Sequence, residues 1–216
     1  MGSHEDREKM VEQQLVGRGI RDELVLNAMR RVPRESFVSE NLQQLAYHDS
    51  PLPIADGQTI SQPYIVAFMI EALRLSGGER VLEIGAGSGY AAAVLAEIAS
   101  EVYAVERIEA LVHLARSNLK SANVSNVRVR HGDGTLGWPE FAPYDAILVS
   151  AGGPIVPESL KSQLRIGGRM VIPIASVSES QNLKCVLREK EDSFKAEDIG
   201  AVRFVPLIGD EGWKGE

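Results

Sequence analysis

A single cysteine, Cys185, stands among 216 residues, so no internal disulfide can form. That scarcity fits a reducing compartment. Its setting, Leu183-Lys184-Cys185-Val186-Leu187, is apolar and suits a buried structural thiol rather than a nucleophile. Positive charge is outnumbered, 23 Lys and Arg against 30 Asp and Glu. A net charge of −7 with no Lys/Arg cluster leaves no electrostatic footprint for nucleic acid or an anionic membrane. No apolar run reaches the roughly 18 residues of a membrane span, and no basic-then-apolar start reads as a signal peptide. His48, His113 and His131 are scattered, with no metal-ligand spacing to acids. Repeats and low-complexity segments are absent as well. These absences predict a cytoplasmic, metal-free protein, and a monomer is the default expectation.

What is present is the balance of a globule: 44% hydrophobic and 25% charged residues, on a chain long enough for a full core. Met1-Gly2-Ser3-His4 reads as an expression remnant. Residues 5–216 read as one domain in three parts: a helical cap and loop (5–77), a core of alternating strands and helices (78–175) and a closing hairpin (176–216). In the cap, Met10, Val11, Gln14 and Leu15 recur at helical spacing over 5–16. Leu24, Val25, Ala28 and Met29 do so over 22–31, with Asp22 as N-cap and Pro33 as terminator. Pro51, Pro53 and Gly57 mark 49–61 as a loop. Pro63 suits the first turn of a helix over 62–73, with Ile65, Phe68, Met69 and Leu73 on one face.

After Gly77-Gly78 the period changes. Short apolar runs at 80–84, 102–105, 127–129, 146–149 and 170–172 are separated by helical stretches at 90–99, 109–122 and 157–164. Alternation of this kind implies a parallel sheet covered on both faces. The segments 183–188 and 201–207 have no helix between them and read as an antiparallel hairpin at the sheet edge.

In open α/β sheets, ligands sit beyond the carboxyl ends of the strands. The first such end is Glu83-Ile84-Gly85-Ala86-Gly87-Ser88-Gly89. Its glycines let the backbone turn sharply and approach a ligand. The dinucleotide pattern G-x-G-x-x-G matches at Gly85 and Gly87 and fails at Tyr90. A carboxylate at Glu83 also opposes a pyrophosphate. It suits S-adenosylmethionine, which carries an ammonium and a sulfonium and no phosphate. Glu106 ends the second strand, where an acid binds ribose hydroxyls. Asp133, in Gly132-Asp133-Gly134, ends the third and is placed to accept from an adenine amino group. Each acid alone also reads as a strand-end charge or a turn residue.

Several segments resemble the protein-L-isoaspartate O-methyltransferase family. They are Asp56-Gly57-Gln58-Thr59-Ile60-Ser61-Gln62-Pro63, Val32-Pro33-Arg34-Glu35-Ser36-Phe37-Val38, Val81-Leu82-Glu83-Ile84-Gly85, Gly132-Asp133-Gly134, Ala142-Pro143-Tyr144-Asp145-Ala146 and Val202-Arg203-Phe204-Val205-Pro206-Leu207. The likeness runs from about Arg7 to Trp213. It implies a doubly wound, Rossmann-like class I methyltransferase sheet, mostly parallel, with an antiparallel C-terminal hairpin and N-terminal helices. Its last strands are rearranged in order. The implied activity is methyl transfer from S-adenosylmethionine to the α-carboxylate of L-isoaspartyl residues in aged proteins and peptides, leaving S-adenosylhomocysteine. The resulting ester initiates repair through a succinimide.

The resemblance further implies that Ser61 is the active-site residue. Gln58, Thr59, Ser61, Glu83, Gly85, Gly87, Glu106, Arg107, Asp133 and Gly134 line the cofactor site. Ile60 and Val205-Pro206-Leu207 contact substrate. Ala86 and Ala91 depart from the threonine and glutamine frequent in relatives. Ser150-Ala151-Gly152-Gly153 is richer in glycine than the family pattern, which predicts a loose loop there.

The chemistry agrees. A carboxylate with pKa about 4 is already ionised at neutral pH, so its methylation needs no strong base. The reaction needs alignment of oxygen, methyl and sulfur, and a serine hydroxyl can orient one carboxylate oxygen. Position alone leaves Ser61 equally readable as the N-cap of the helix that follows. Two other classes remain open: a small-molecule methyltransferase on the same scaffold, and a non-catalytic nucleotide-binding module.

Overall fold

The computed structural model describes residues 2–175 and 181–215. Met1 of the expected remnant and residues 176–180 of the expected C-terminal part lie outside them. Helix α1 (Gly2–Lys9) continues through a widened turn, Met10–Leu15, and a tight one, Val16–Arg18. The spacing seen in the sequence is realised: Met10, Val11 and Leu15 are buried. The half-buried Gln14 donates to Tyr47 O at 2.9 Å.

Helix α2 (Glu23–Arg31) starts where Asp22 caps it, accepting from Leu24 N at 2.9 Å and Val25 N at 3.4 Å. The helix ends at Val32, before Pro33. Its buried face differs by one residue from the expected one. Leu24 is 42% exposed and Leu26 takes its place beside Val25, Ala28 and Met29. The core thus meets the Val25–Leu26 side of the first turn and leaves Leu24 at its edge.

The expected loop at 49–61 contains a small antiparallel pair, β1 (Leu52–Pro53) and β2 (Thr59–Ile60). Helix α3 (Pro63–Leu73) begins one residue after the predicted start. Val66, Ala67, Met69, Ile70 and Leu73 are buried, whereas Ile65 and Phe68 are only half-buried. A helix enclosed on more than one side carries little periodic signal, so its inward face was not readable.

The core then alternates: β3 (Arg80–Ile84), α4 (Tyr90–Ala96), β4 (Glu101–Glu106), α5 (Glu109–Ser121), β5 (Val127–His131), β6 (Tyr144–Val149), α6 (Glu158–Gln163) and β7 (Leu164–Ala175). Strands β8 (Gln181–Lys190) and β9 (Ser193–Val202) complete one seven-stranded sheet in the order β5-β4-β3-β6-β7-β8-β9. Strands β3 to β7 are mutually parallel, and β8 runs antiparallel to both neighbours. The last strands therefore follow one another in sequence order.

The period of two sorts each strand between two cores. Val81, Val102, Ala104, Ala146, Leu148 and Val171 join the core shared with α2 to α5. Leu82, Tyr103, Val105, Ile147, Val149, Met170 and Ile172 join the core on the opposite face, with α6.

One expected pairing is corrected. The partner of the 183–188 segment is Ser193–Val202, not 201–207. Strand β9 exposes most of its side chains at the sheet edge and carries Lys195, Glu197, Asp198 and Gly200, so no apolar pattern announced it. The apolar Val205-Pro206-Leu207 leaves the sheet and serves another purpose.

Replacing Asp22 by Ala removes a cap that satisfies two backbone donors. We expect a loss of about 1 kcal/mol, read as a lowered thermal midpoint with unchanged spectra of the native state.

Candidate active site

The strand order reverses between β3 and β6: from β3 the chain moves outward to β5, then returns to the other side of β3. Connections leave in opposite directions at such a point, and a crevice opens beyond the carboxyl ends of the two strands. The turn after β3 and the loop after β6 flank it, with Ser150 N donating to Ile84 O at 2.8 Å. A cleft of about 1020 Å³, counting the solvent space at its mouth, lies there.

Backbone geometry makes the turn. Gly85, Gly87 and Gly89 have φ of 86°, 54° and 88°, a region costly for side chains. At Gly89 space is also short: a Cβ would stand 3.3 Å from the backbone of Ala115 in α5. The third glycine, displaced from the dinucleotide pattern, thus allows α4 and α5 to meet.

Two acids meet at this turn in opposite electrostatic situations. Glu106 is satisfied: Oε2 accepts from Gly87 N at 3.0 Å and Oε1 from Ile108 N at 2.9 Å. Glu83 shares the face of Val81 and is fully buried, yet neither carboxylate oxygen meets a donor among the described residues. Burial, reinforced by the negative charge of Glu106, pushes the Glu83 carboxyl well above the usual carboxylate range. A buried carboxylate that faces a cleft and lacks a partner is matched to a cation arriving with the ligand.

The opposite wall is Gln58-Thr59-Ile60-Ser61. The β1–β2 pair holds it, with Ile54 N donating to Gln58 O at 2.9 Å. Gln62 Nε2 donates to Asp49 O at 3.1 Å, and Asp49 is paired with Arg18 at 2.6 Å. Ser61 is not the helix cap. Gln62 occupies that position, and its side chain makes no capping bond. The Ser61 hydroxyl is thereby left to the cleft.

A third wall, Val205 to Ile208, is the chain that left the sheet after β9. Of the residues the sequence singled out, Gln58, Thr59, Ile60, Ser61, Glu83, Gly85, Gly87, Glu106, Arg107, Gly134, Val205, Pro206 and Leu207 all line this one cleft. Asp133 does not. Its Oδ1 accepts from Thr135 N at 2.8 Å and Thr135 Oγ1 at 2.7 Å, and its Oδ2 from Asp210 N at 2.7 Å. The structure places that carboxylate on a tight turn and on the C-terminal tail. Gly134 lines the cleft, and its lack of a side chain lets it pack directly on Ile84, with which a Cβ would collide.

Sequence reasoning passed over Ser88, Ile108, Ser150 and Ala151, which also line the cleft. Ser150 and Ala151 directly follow β6, and the strand order would have pointed to them. The expectation of a loose loop at Ser150–Gly153 is not met. Gly152 N donates to Val205 O at 2.8 Å and Gly153 N to Pro173 O at 3.0 Å, while Ala175 N donates to Gly153 O at 2.9 Å.

The charged residues lining the cleft are Glu83, Glu106 and Arg107; no His, Cys or Lys is among them. No group of three or more metal-ligating side chains occurs among the described residues. Among them, too, no helix is long and apolar enough to cross a membrane.

The model of the Protein-L-isoaspartate(D-aspartate) O-methyltransferase family matches residues 5–212. The chain is 62% identical over 207 residues to Protein-L-isoaspartate O-methyltransferase 1 of Rhodopseudomonas palustris (strain HaA2), covering 96% of this chain and 84% of that protein. A solved protein-L-isoaspartate O-methyltransferase superposes with a TM-score of 0.87 at 32% identity, covering 95% of this chain and 67% of its own. A second, from Plasmodium falciparum and in complex with S-adenosyl-L-homocysteine, gives 0.82 at 27% identity, covering 94% and 98%. With its glycine turn, its two acids and its serine loop on one cleft and a match over nearly its whole length, the chain belongs to the protein-L-isoaspartate(D-aspartate) O-methyltransferase family.

Proposed function

We propose that this protein transfers a methyl group from S-adenosylmethionine to the α-carboxylate of L-isoaspartyl residues in damaged proteins and peptides. The carrying observation is the convergence on one cleft of an unpartnered buried Glu83, a ribose-competent Glu106 and the Ser61 hydroxyl. The residues fit the cofactor. Glu83 supplies the negative charge its ammonium requires. Glu106, fixed by two backbone donors, keeps lone pairs for ribose hydroxyls. The glycine turn lets the ligand approach the backbone closely.

S-adenosylmethionine supplies an electrophilic methyl group when bound. The chain's own residues have a modest task, because the isoaspartyl carboxylate is ionised at neutral pH. A cleft without His, Cys or Lys is consistent with a reaction that needs no base. Ser61 donates a hydrogen bond to one carboxylate oxygen and leaves the other aimed at the methyl carbon. A lysine in its place would pair with the nucleophile and dull it. The walls 58–61 and 205–208 restrict water around the reacting pair. Once released, the ester closes to a succinimide as the following backbone nitrogen displaces methanol, and hydrolysis reopens the ring in part to normal aspartate. The single cysteine fits a reducing, cytoplasmic setting.

Incubation with methyl-labelled S-adenosylmethionine and paired peptides, one isoaspartyl and one aspartyl, tests the reading. We expect base-labile label on the isoaspartyl peptide alone; label on neither, or equally on both, rejects it. Label on a small acceptor only would favour a small-molecule methyltransferase. Ser61→Ala should lower turnover by about 10²-fold, as loss of one orienting donor does, with S-adenosylhomocysteine affinity nearly unchanged. Undiminished turnover removes the orienting role.

A further inference from the structure

The third wall of the cleft is built without a strand. After Val202 the chain departs from β9, and among the described residues a single parallel bridge, Gly152 with Pro206, ties it to the loop after β6; a second, Ile208 with Trp213, lies within the tail itself. Something must hold it in place of a sheet partner. Gln181, first residue of β8 and opposite Val202 in register, does so with its side chain. Its Oε1 accepts from Phe204 N at 2.7 Å and its Nε2 donates to Phe204 O at 2.9 Å. The amide thus imitates a strand residue and extends the ladder across the point where the chain leaves it.

The same amide accounts for a glycine. A Cβ on Gly152 would stand 2.5 Å from Gln181 Nε2 and 2.7 Å from its Cδ. With no side chain there, the backbone of Gly152 takes the next part of the wall. Its N–H donates to Val205 O at 2.8 Å, and its carbonyl accepts from Leu207 N and from Trp213 Nε1, both at 2.9 Å. Gln181 and Gly152 themselves do not line the cleft.

We propose that Gln181 is a positioning residue for the methyl acceptor. Its side-chain amide, seated over Gly152, sets where Val205-Pro206-Leu207 stands and hence where an isoaspartyl peptide meets the cleft. This rests on the functional reading above, in which that wall faces the acceptor. The cofactor side of the cleft hangs on β3 and β4, far along the sheet from β8, so Gln181 governs one substrate and not the other.

Gln181→Met keeps the length of the side chain and removes both hydrogen bonds. In the full-length protein we expect the KM for an isoaspartyl peptide to rise about tenfold, the scale of losing two neutral hydrogen bonds. The S-adenosylhomocysteine Kd and kcat should stay within about twofold, while amide exchange at Phe204 and Leu207 accelerates and that at Val171 in β7 does not. Gly152→Ala, which drives a methyl group into the same amide, should give the same pattern. An unchanged KM with unchanged exchange overturns the proposal. So does a uniform loss of both affinities with faster exchange throughout, which would mark Gln181 as merely structural. If the unaltered protein methylates no isoaspartyl peptide, the acceptor role falls with the functional reading. The exchange rates then decide separately whether Gln181 anchors the wall.

Discussion

The Glu106 carboxylate accepts from Gly87 N at 3.0 Å and from Ile108 N at 2.9 Å, and so ties the turn after β3 to the turn after β4. Both turns border the crevice, and both need fixed backbones if a ligand is to lie against them. Charge-assisted bonds to backbone donors are among the stronger hydrogen bonds available. Glu83 stands beside this acid with no such relief. Two carboxylates thus share one site, one hydrogen-bonded by the fold and one left for a ligand. Their proximity raises the cost of keeping Glu83 ionised, which makes the site receptive to a cation.

Sheet topology supplies the rest. Reversal of strand order at β3 and β6 opens the crevice where Glu83, Glu106 and Ser150 arrive on separate strands. The two cleft walls that the proposed reading turns toward the acceptor come from outside the parallel core. One is the β1–β2 pair leading to Ser61, and the other is the strap after β9. On that reading, the cleft floor and these two walls depend on different parts of the chain. The sheet core stabilises the first. Local fastenings, Asp49 with Gln62 and Arg18 on one side and Gln181 with Phe204 on the other, hold the second.

Much of this was legible in the sequence, for identifiable reasons. Buried parallel strands are continuous apolar runs, so β3, β4 and β6 were found nearly to the residue. Glycines at positive φ and the acids Glu83 and Glu106 mark the cleft by their own chemistry. Other features depend on long-range contacts that leave little local trace. Leu24 looked like core and lies in solvent, because periodicity does not say where a helix meets its neighbour. Strand β9 is polar at the edge and hid behind the apolar 205–207, which proved to be a cleft wall. Asp133 had the right position for a ligand and spends its oxygens on Thr135 and Asp210, a tail contact 77 residues away in sequence. The glycines after β6 suggested looseness, yet Gly152 is bare because the Gln181 amide crosses it.

On the proposed reading the cofactor's ammonium completes Glu83, and proton counting reads this out. In the ligand-free fold its carboxyl is raised above the ordinary value of 4.5, so it holds a proton over a range where a free glutamate has lost it. A bound ammonium needs the ionised form, so binding must expel that proton. Titration calorimetry with S-adenosylhomocysteine, in buffers of differing ionisation enthalpy below the raised pKa, should show proton release and an affinity that climbs with pH. Glu83→Gln should abolish both. Binding with no proton release from the unaltered protein, or with the same release from Glu83→Gln, would contradict the account.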